Sequence, residues 1–216
     1  MIHIYYRALM GLFLLSFLVG CGIYETSPLM VSIRSEDVYS VKSMIDSGED
    51  VNALSQDLID GQYWKLTPLI RASVTGNTEI IKVLLDSGAD VNGKDQWGNT
   101  ALMATVDYGH VDATELLIEY GAKVDARKPD QTTALIIAAR KGDVKITNIL
   151  LEADADINVG FGTGITALSI AVWEGNTSVV ETLIRKGAKV DKKAMKFARQ
   201  KNRHEILRML EKIETE

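Results

Sequence analysis

From Thr67 onward the chain repeats itself at one fixed interval, the step from Thr67 to Thr100 to Thr133 to Thr166. Thr67-Pro68-Leu69-Ile70, Thr100-Ala101-Leu102-Met103, Thr133-Ala134-Leu135-Ile136 and Thr166-Ala167-Leu168-Ser169 open the units at that spacing, and Gly76, Gly109, Gly142 and Gly175 follow each at one offset. A third series closes the units, running from Gly88 to Asn92, from Gly121 to Asp125, from Asp154 to Asn158 and from Gly187 to Asp191. A unit this short cannot bury its own apolar face, so each must stack on its neighbours, and the chain reads as a solenoid.

The chemistry within each unit agrees with that reading. The threonine is placed to cap a short first helix, and Pro68 suits an opening turn. The glycine at 76, 109, 142 and 175 ends that helix where a left-handed residue is needed. A second helix follows with helical apolar spacing, in columns such as Ile80 and Leu84, Ala113 and Leu117, Ile146 and Leu150, and Val179 and Leu183. An extended finger loop leads to the next threonine. An opening unit over 29–66, expected to be incomplete in its helical part, carries a first finger seven residues longer than its counterparts, and a closing unit over 192–216 puts Asn202 in place of the glycine. Asp154 and Gln131 also stand where the other units have glycine.

These motifs resemble the ankyrin repeat, in register over residues 29–216. The resemblance implies an all-α solenoid of stacked helix-turn-helix units with finger loops. It also implies protein binding through the finger tips and the concave side of the first helices. Carried onto this sequence, those positions are Tyr63 and Trp64; Gln96, Trp97, Asn99, Asp107 and Tyr108; Asp130, Arg140 and Lys141; and Phe161, Thr163, Trp173 and Glu174. All three tryptophans fall among them, and aromatic side chains dominate interface energetics.

The N-terminus is read separately. Arg7 precedes an apolar run from Ala8 to Val19, too short to span a bilayer comfortably but suited to a secretory leader. Leu18-Val19-Gly20-Cys21 resembles the bacterial lipobox, and Cys21 is the chain's single cysteine. The expectation is a signal peptide over 1–20, lipidation at Cys21 and a tether over 21–28. Gly22 after the cysteine suggests an outer-membrane lipoprotein facing the periplasm. Met30 offers an internal start that would give a cytosolic form.

One cysteine and three histidines leave little for catalysis or metal binding. Gly160-Phe161-Gly162-Thr163-Gly164 lacks the Lys-Ser/Thr ending of a phosphate loop and lies in a finger. The residues therefore point away from an enzyme and require no cofactor. Residues 21–184 carry twelve Lys and Arg against twenty-four Asp and Glu, while residues 185–212 carry eleven against three. An acidic body favours a basic protein partner and not nucleic acid. Small ankyrin lipoproteins of this design resemble immunity proteins against type VI secretion effectors, phospholipases among them, which implies neutralisation of a toxin by steric blockade. A periplasmic scaffold assisting an envelope enzyme, and a membrane-surface adaptor using the basic closing unit, are the alternatives.

Overall fold

The computed structural model describes residues 26–59, 61–162 and 164–214. Cys21, the expected leader before it and Thr163 lie outside them. Among the described residues twelve helices form six antiparallel pairs. In chain order these are α1 (Pro28–Arg34) with α2 (Val38–Asp46), α3 (Pro68–Thr75) with α4 (Thr78–Asp86), and α5 (Ala101–Tyr108) with α6 (Val111–Glu119). Then come α7 (Ala134–Lys141) with α8 (Val144–Glu152), α9 (Ala167–Glu174) with α10 (Thr177–Arg185), and α11 (Lys192–Gln200) with α12 (His204–Glu214). The odd-numbered helices stack in an inner row and the even-numbered in an outer row, each against its equivalents one unit away. Two fingers contain antiparallel strand pairs: β1 (Ser55–Ile59) with β2 (Gln62–Leu66), and β3 (Gly160–Phe161) with β4 (Ile165–Thr166). No described helix is long and apolar enough to cross a membrane.

The helix ends form as the repeated residues dictate. Thr67, Thr100, Thr133 and Thr166 each accept from the backbone N–H three residues on. Ser169 Oγ also accepts from Thr166 N–H at 2.9 Å, completing a reciprocal cap. The four glycines that follow the inner helices all have φ between +75° and +85°. Glu36, Gln131, Asp154 and Asn202 take positive φ without being glycine. Burial is continuous along the stack: Ile80, Leu84, Leu117, Ile146, Leu150, Val179 and Leu183 are all inaccessible to solvent.

The opening unit is more complete than expected. Ser27 caps α1 by accepting from Met30 N–H at 3.3 Å, and Pro28 occupies its first turn. Two full helices therefore precede the first finger among the described residues, the first of them beginning at Pro28.

Neighbouring units are bolted together through carbonyls at the inner-helix ends that have no partner within their own helix. His110 Nε2 donates to Val74 O at 2.9 Å, Asn176 Nδ2 to Ala139 O at 2.8 Å and Arg203 Nη2 to Glu174 O at 2.9 Å. Neither His110 nor Asn176 makes a side-chain cap to its own helix, because the side chain is used between units. A second ladder joins the finger bases. Asn52 accepts from Asp90 N–H at 2.7 Å and donates to Gly88 O at 3.0 Å, Asn92 accepts from Lys123 N–H, Asp125 from Asp156 N–H, and Asn158 from Lys189 N–H.

Candidate protein-binding surface

The long first finger decides the shape of the concave side. Its two strands pair with Asp57 opposite Trp64 and Leu58 opposite Tyr63. Side chains alternate across a strand pair. Asp57, Ile59 and Leu66 are buried, while Leu58 and Tyr63 lie on the outer face at 46% and 64% exposure. Trp64 is half-buried on the inner side.

The second finger is tied to this hairpin by Gln96 N–H donating to Lys65 O at 3.1 Å. Within it the buried Asp95 carboxylate accepts from Trp97 N–H and Asn99 N–H, both at 2.8 Å, and from Asn99 Nδ2 at 2.6 Å. Three bonds to one carboxylate hold the turn tight, and Trp97 projects from it at 57% exposure. In the third finger Asp130 Oδ1 accepts from Thr132 N–H at 2.9 Å. Burial pushes the Asp130 carboxyl up, but bonds from the Thr132 N–H and hydroxyl, with Lys128 nearby, outweigh it and hold the group below its usual value.

Two adjoining clefts result. An inner one of about 310 Å³ lies between the fingers and the inner helices, floored by Ile70, Met103 and Ile137 and flanked by Trp64, Asp107, Tyr108 and Arg140. An outer one of about 450 Å³ opens at the finger tips, between Gln62, Tyr63, Gln96, Trp97 and Pro129. Trp64, Asn99, Lys128 and Asp130 line both. Nine of the expected binding residues thus meet on one continuous surface: Tyr63, Trp64, Gln96, Trp97, Asn99, Asp107, Tyr108, Asp130 and Arg140. Lys141 adjoins it through a 3.1 Å ion pair from its Nζ to Asp107, which Arg140 also approaches at 3.6 Å.

The remaining positions lie apart, in the fourth unit. Phe161 is in β3, and the description does not extend to its side chain or to Thr163. Glu174 is exposed at the end of α9, and its carbonyl accepts from Arg203. Trp173 is half-buried: Phe197 packs edge-on at 5.0 Å between ring centroids, and Lys201 Nζ sits 3.8 Å above the indole. The closing unit covers that ring, and the exposed Lys201 cation contributes about 0.5–1 kcal/mol to the contact. Sequence reasoning passed over Asp57, Ile59, Asp95 and Lys128. Strand-like alternation on either side of Gly61 was the available signal for the first two.

Chemically this surface offers stacking faces, amides and mixed charge around an apolar floor, the make-up of a protein interface. No group of His, Cys, Asp and Glu among the described residues could hold a metal ion.

Fold and surface together define a helix-pair repeat protein that presents a concave face with projecting fingers. The ankyrin-repeat family, described as ankyrin repeats in three copies, matches residues 8–95, 29–128, 90–161 and 124–194. The chain belongs to that family. It is 37% identical over 81 residues to ankyrin repeat and SOCS box protein 5 of Bos taurus, covering 38% of this chain and 21% of that protein. The serine/threonine-protein kinase VIK of Arabidopsis thaliana is 42% identical over 80 residues, 37% of this chain and 17% of the kinase. Mouse fibronectin type 3 and ankyrin repeat domains 1 protein is 48% identical over 52 residues, 23% of this chain and 14% of that protein. The chain thus spans about a fifth or less of the length of these relatives, and the likeness is to their repeats. Ankyrin repeats imply a protein-binding role, and that is the role of this chain at the level of the family.

Proposed function

We propose that this chain is an immunity protein of the bacterial cell envelope, which binds a toxic effector of lipase type and neutralises it by covering its active site. The observation that carries the reading is the gathering of nine expected binding residues from three successive fingers and inner helices onto one surface. Its exposed aromatics, Tyr63, Trp97 and Tyr108, are residues of the kind that act as interface anchors. A preformed surface of this kind blocks by shape and needs no chemistry of its own. Lipidation at Cys21, suggested by the sequence, holds the protein at the outer membrane facing the periplasm, where a delivered effector acts.

The test is affinity capture of secreted and envelope proteins on residues 22–216, with Tyr63→Ala/Trp97→Ala as the surface variant and Glu79→Ala/Asp112→Ala on the outer helices as the control. Capture of one toxic lipase by wild type and control, lost in the surface variant, together with loss of lipase activity in the complex, supports the reading. Capture of a resident envelope enzyme whose activity persists or rises replaces it with the scaffold reading.

A further inference from the structure

Nothing in the repeat pattern calls for Asp57, yet it is the most fully enclosed charged group among the described residues, with no accessible surface. Its Oδ1 accepts from Arg34 Nη1 at 3.2 Å and from Leu58 N–H at 2.8 Å; its Oδ2 lies 2.6 Å from Arg71 Nε as an ion pair, the two atoms not being aligned as a hydrogen bond. The two guanidinium groups come from different units, α1 and α3, and the carboxylate from the finger that bridges them. Arg71 itself stands where the later units have Ala104, Ile137 and Ile170, so unit two departs from its own column to meet this carboxylate. A charge removed from water is tolerated only with close opposite charge, so the buried Asp57 carboxylate depends on Arg71 and Arg34.

Besides this ion-pair cluster the hairpin is held by the Gln96 N–H bond to Lys65 O, by the half-buried Trp64 and by two buried aliphatic side chains. Ile59 and Leu66 are its buried apolar anchors, while Leu54, Leu58 and Tyr63 face outward. Two further polar atoms beneath it, Gln56 Oε1 and Trp64 Nε1, are buried and find no hydrogen-bond partner among the described residues. A polar layer that is only partly satisfied holds its geometry less firmly than an apolar one. Because Asp57 is the cross-strand partner of Trp64, the residue that clamps the hairpin also sets the indole that lines both clefts.

From this we infer that the β1–β2 hairpin is a movable wall of the binding cleft, and that Asp57, gripped by Arg34 and Arg71, is the positioning residue that holds the wall shut. The clamp regulates the surface described under the proposed function and rests on that reading for its purpose, but its mechanics are measurable without any partner. With the clamp closed, Trp64 and Tyr63 are fixed in place and the cleft is preformed. With it open, the inner face of the hairpin and the concave side of α1 and α3 are uncovered.

Hydrogen exchange on the whole chain tests this. Asp57→Asn keeps the shape and the acceptor for Leu58 N–H but leaves the buried Arg71 guanidinium without its counter-charge. It is expected to speed exchange at 55–66 by about tenfold or more while amides of α5 to α10 keep their wild-type rates. Asp57→Asn/Arg71→Gln, which removes opposite charges together, is expected to recover at least half of that protection on a logarithmic scale. Faster exchange spread evenly over α1 to α4, with no recovery in the double variant, would show ordinary packing and overturn the clamp, as would unchanged hairpin exchange in Asp57→Asn. Affinity for the captured protein separates the two layers. A loss confined to Asp57→Asn and recovered in the double variant supports both. A local opening with unchanged affinity leaves the clamp standing and counts against the cleft as the docking site.

Discussion

Replacing Gly76 and Gly109 by alanine, one at a time, separates backbone strain from the bolts between units. Both residues end an inner helix at φ +75°, so an added Cβ meets the same left-handed penalty of about 1 kcal/mol at either site. Their surroundings differ. A Cβ on Gly109 has no neighbour within 4 Å, whereas one on Gly76 overlaps the His110 ring. That ring has to withdraw, which loses the 2.9 Å bond to Val74 O and its stacking on Tyr108, 6.3 Å away and 8° from parallel. The bond is worth about 1 kcal/mol, and displacing the ring adds roughly another. Gly109→Ala is therefore expected to cost about 1 kcal/mol and Gly76→Ala about 3 kcal/mol. For a domain of this length each kcal/mol lowers Tm by roughly 2–4 °C. Calorimetry should show drops of about 3 °C and about 9 °C, and urea melts followed by two probes would check that the stack unfolds as one unit. In a His110→Ala background the Gly76→Ala penalty should shrink to that of Gly109→Ala. Equal drops in the single variants, or no shrinkage, would refute the argument.

Asp154, at φ +61°, stands where the other units use glycine, so Asp154→Gly is expected to raise Tm by roughly 2–4 °C; calorimetry showing no rise would remove strain as the explanation. Asp125 accepts from Asp156 N–H but has no N–H to return, unlike Asn52 and Asn92. Asp125→Asn should therefore gain about 0.5–1 kcal/mol in urea unfolding, and a loss would show that the carboxylate is the better acceptor. Tyr120 donates to Asp86 at 2.7 Å, and this bond raises its pKa above the ordinary value. The linked stability is present below about pH 10 and lost as pH rises through the folded pKa. Absorbance titration should show the late ionisation of Tyr120 move to lower pH in Asp86→Asn; an unchanged titration would remove that bond as the cause. Trp173→Ala, which empties the space beneath Phe197 and Lys201, should cost about 2 kcal/mol, while Trp97→Ala leaves stability within about 0.5 kcal/mol; matched losses in calorimetry would contradict the contacts described for Trp173.

The periodic part of the molecule was legible because each column recurs at the interval that separates Thr67 from Thr100, and caps, left-handed turns and buried faces all fall on it. The opening unit was misjudged for the same reason. Ser27-Pro28-Leu29-Met30 matches Thr67-Pro68-Leu69-Ile70, but at a wider interval, because the long finger breaks the period. Glu36, at φ +55°, is likewise the disguised counterpart of Gly76. The fingers of the second and third units were readable as loops projecting from the stack, since register alone places them there. Trp173 holds an equivalent register position, yet Phe197 and Lys201 of the closing unit, which departs from the repeat, fold over it. The Asp57 clamp had no periodic signal at all. Its partners, Arg34 before it and Arg71 after it, lie on separate helices well away from it along the chain, and only the fold brings them together.

The central claim is that the finger and cleft aromatics of the first units carry the binding. Calorimetric titration of the captured protein into wild type, Tyr63→Ala, Trp97→Ala and the Glu79→Ala/Asp112→Ala control tests it most directly. The account predicts a loss of about thirtyfold or more in Kd for at least one aromatic variant, about 2 kcal/mol, with the control unchanged. Wild-type affinity in both aromatic variants, or a loss confined to the outer-helix control, would contradict it.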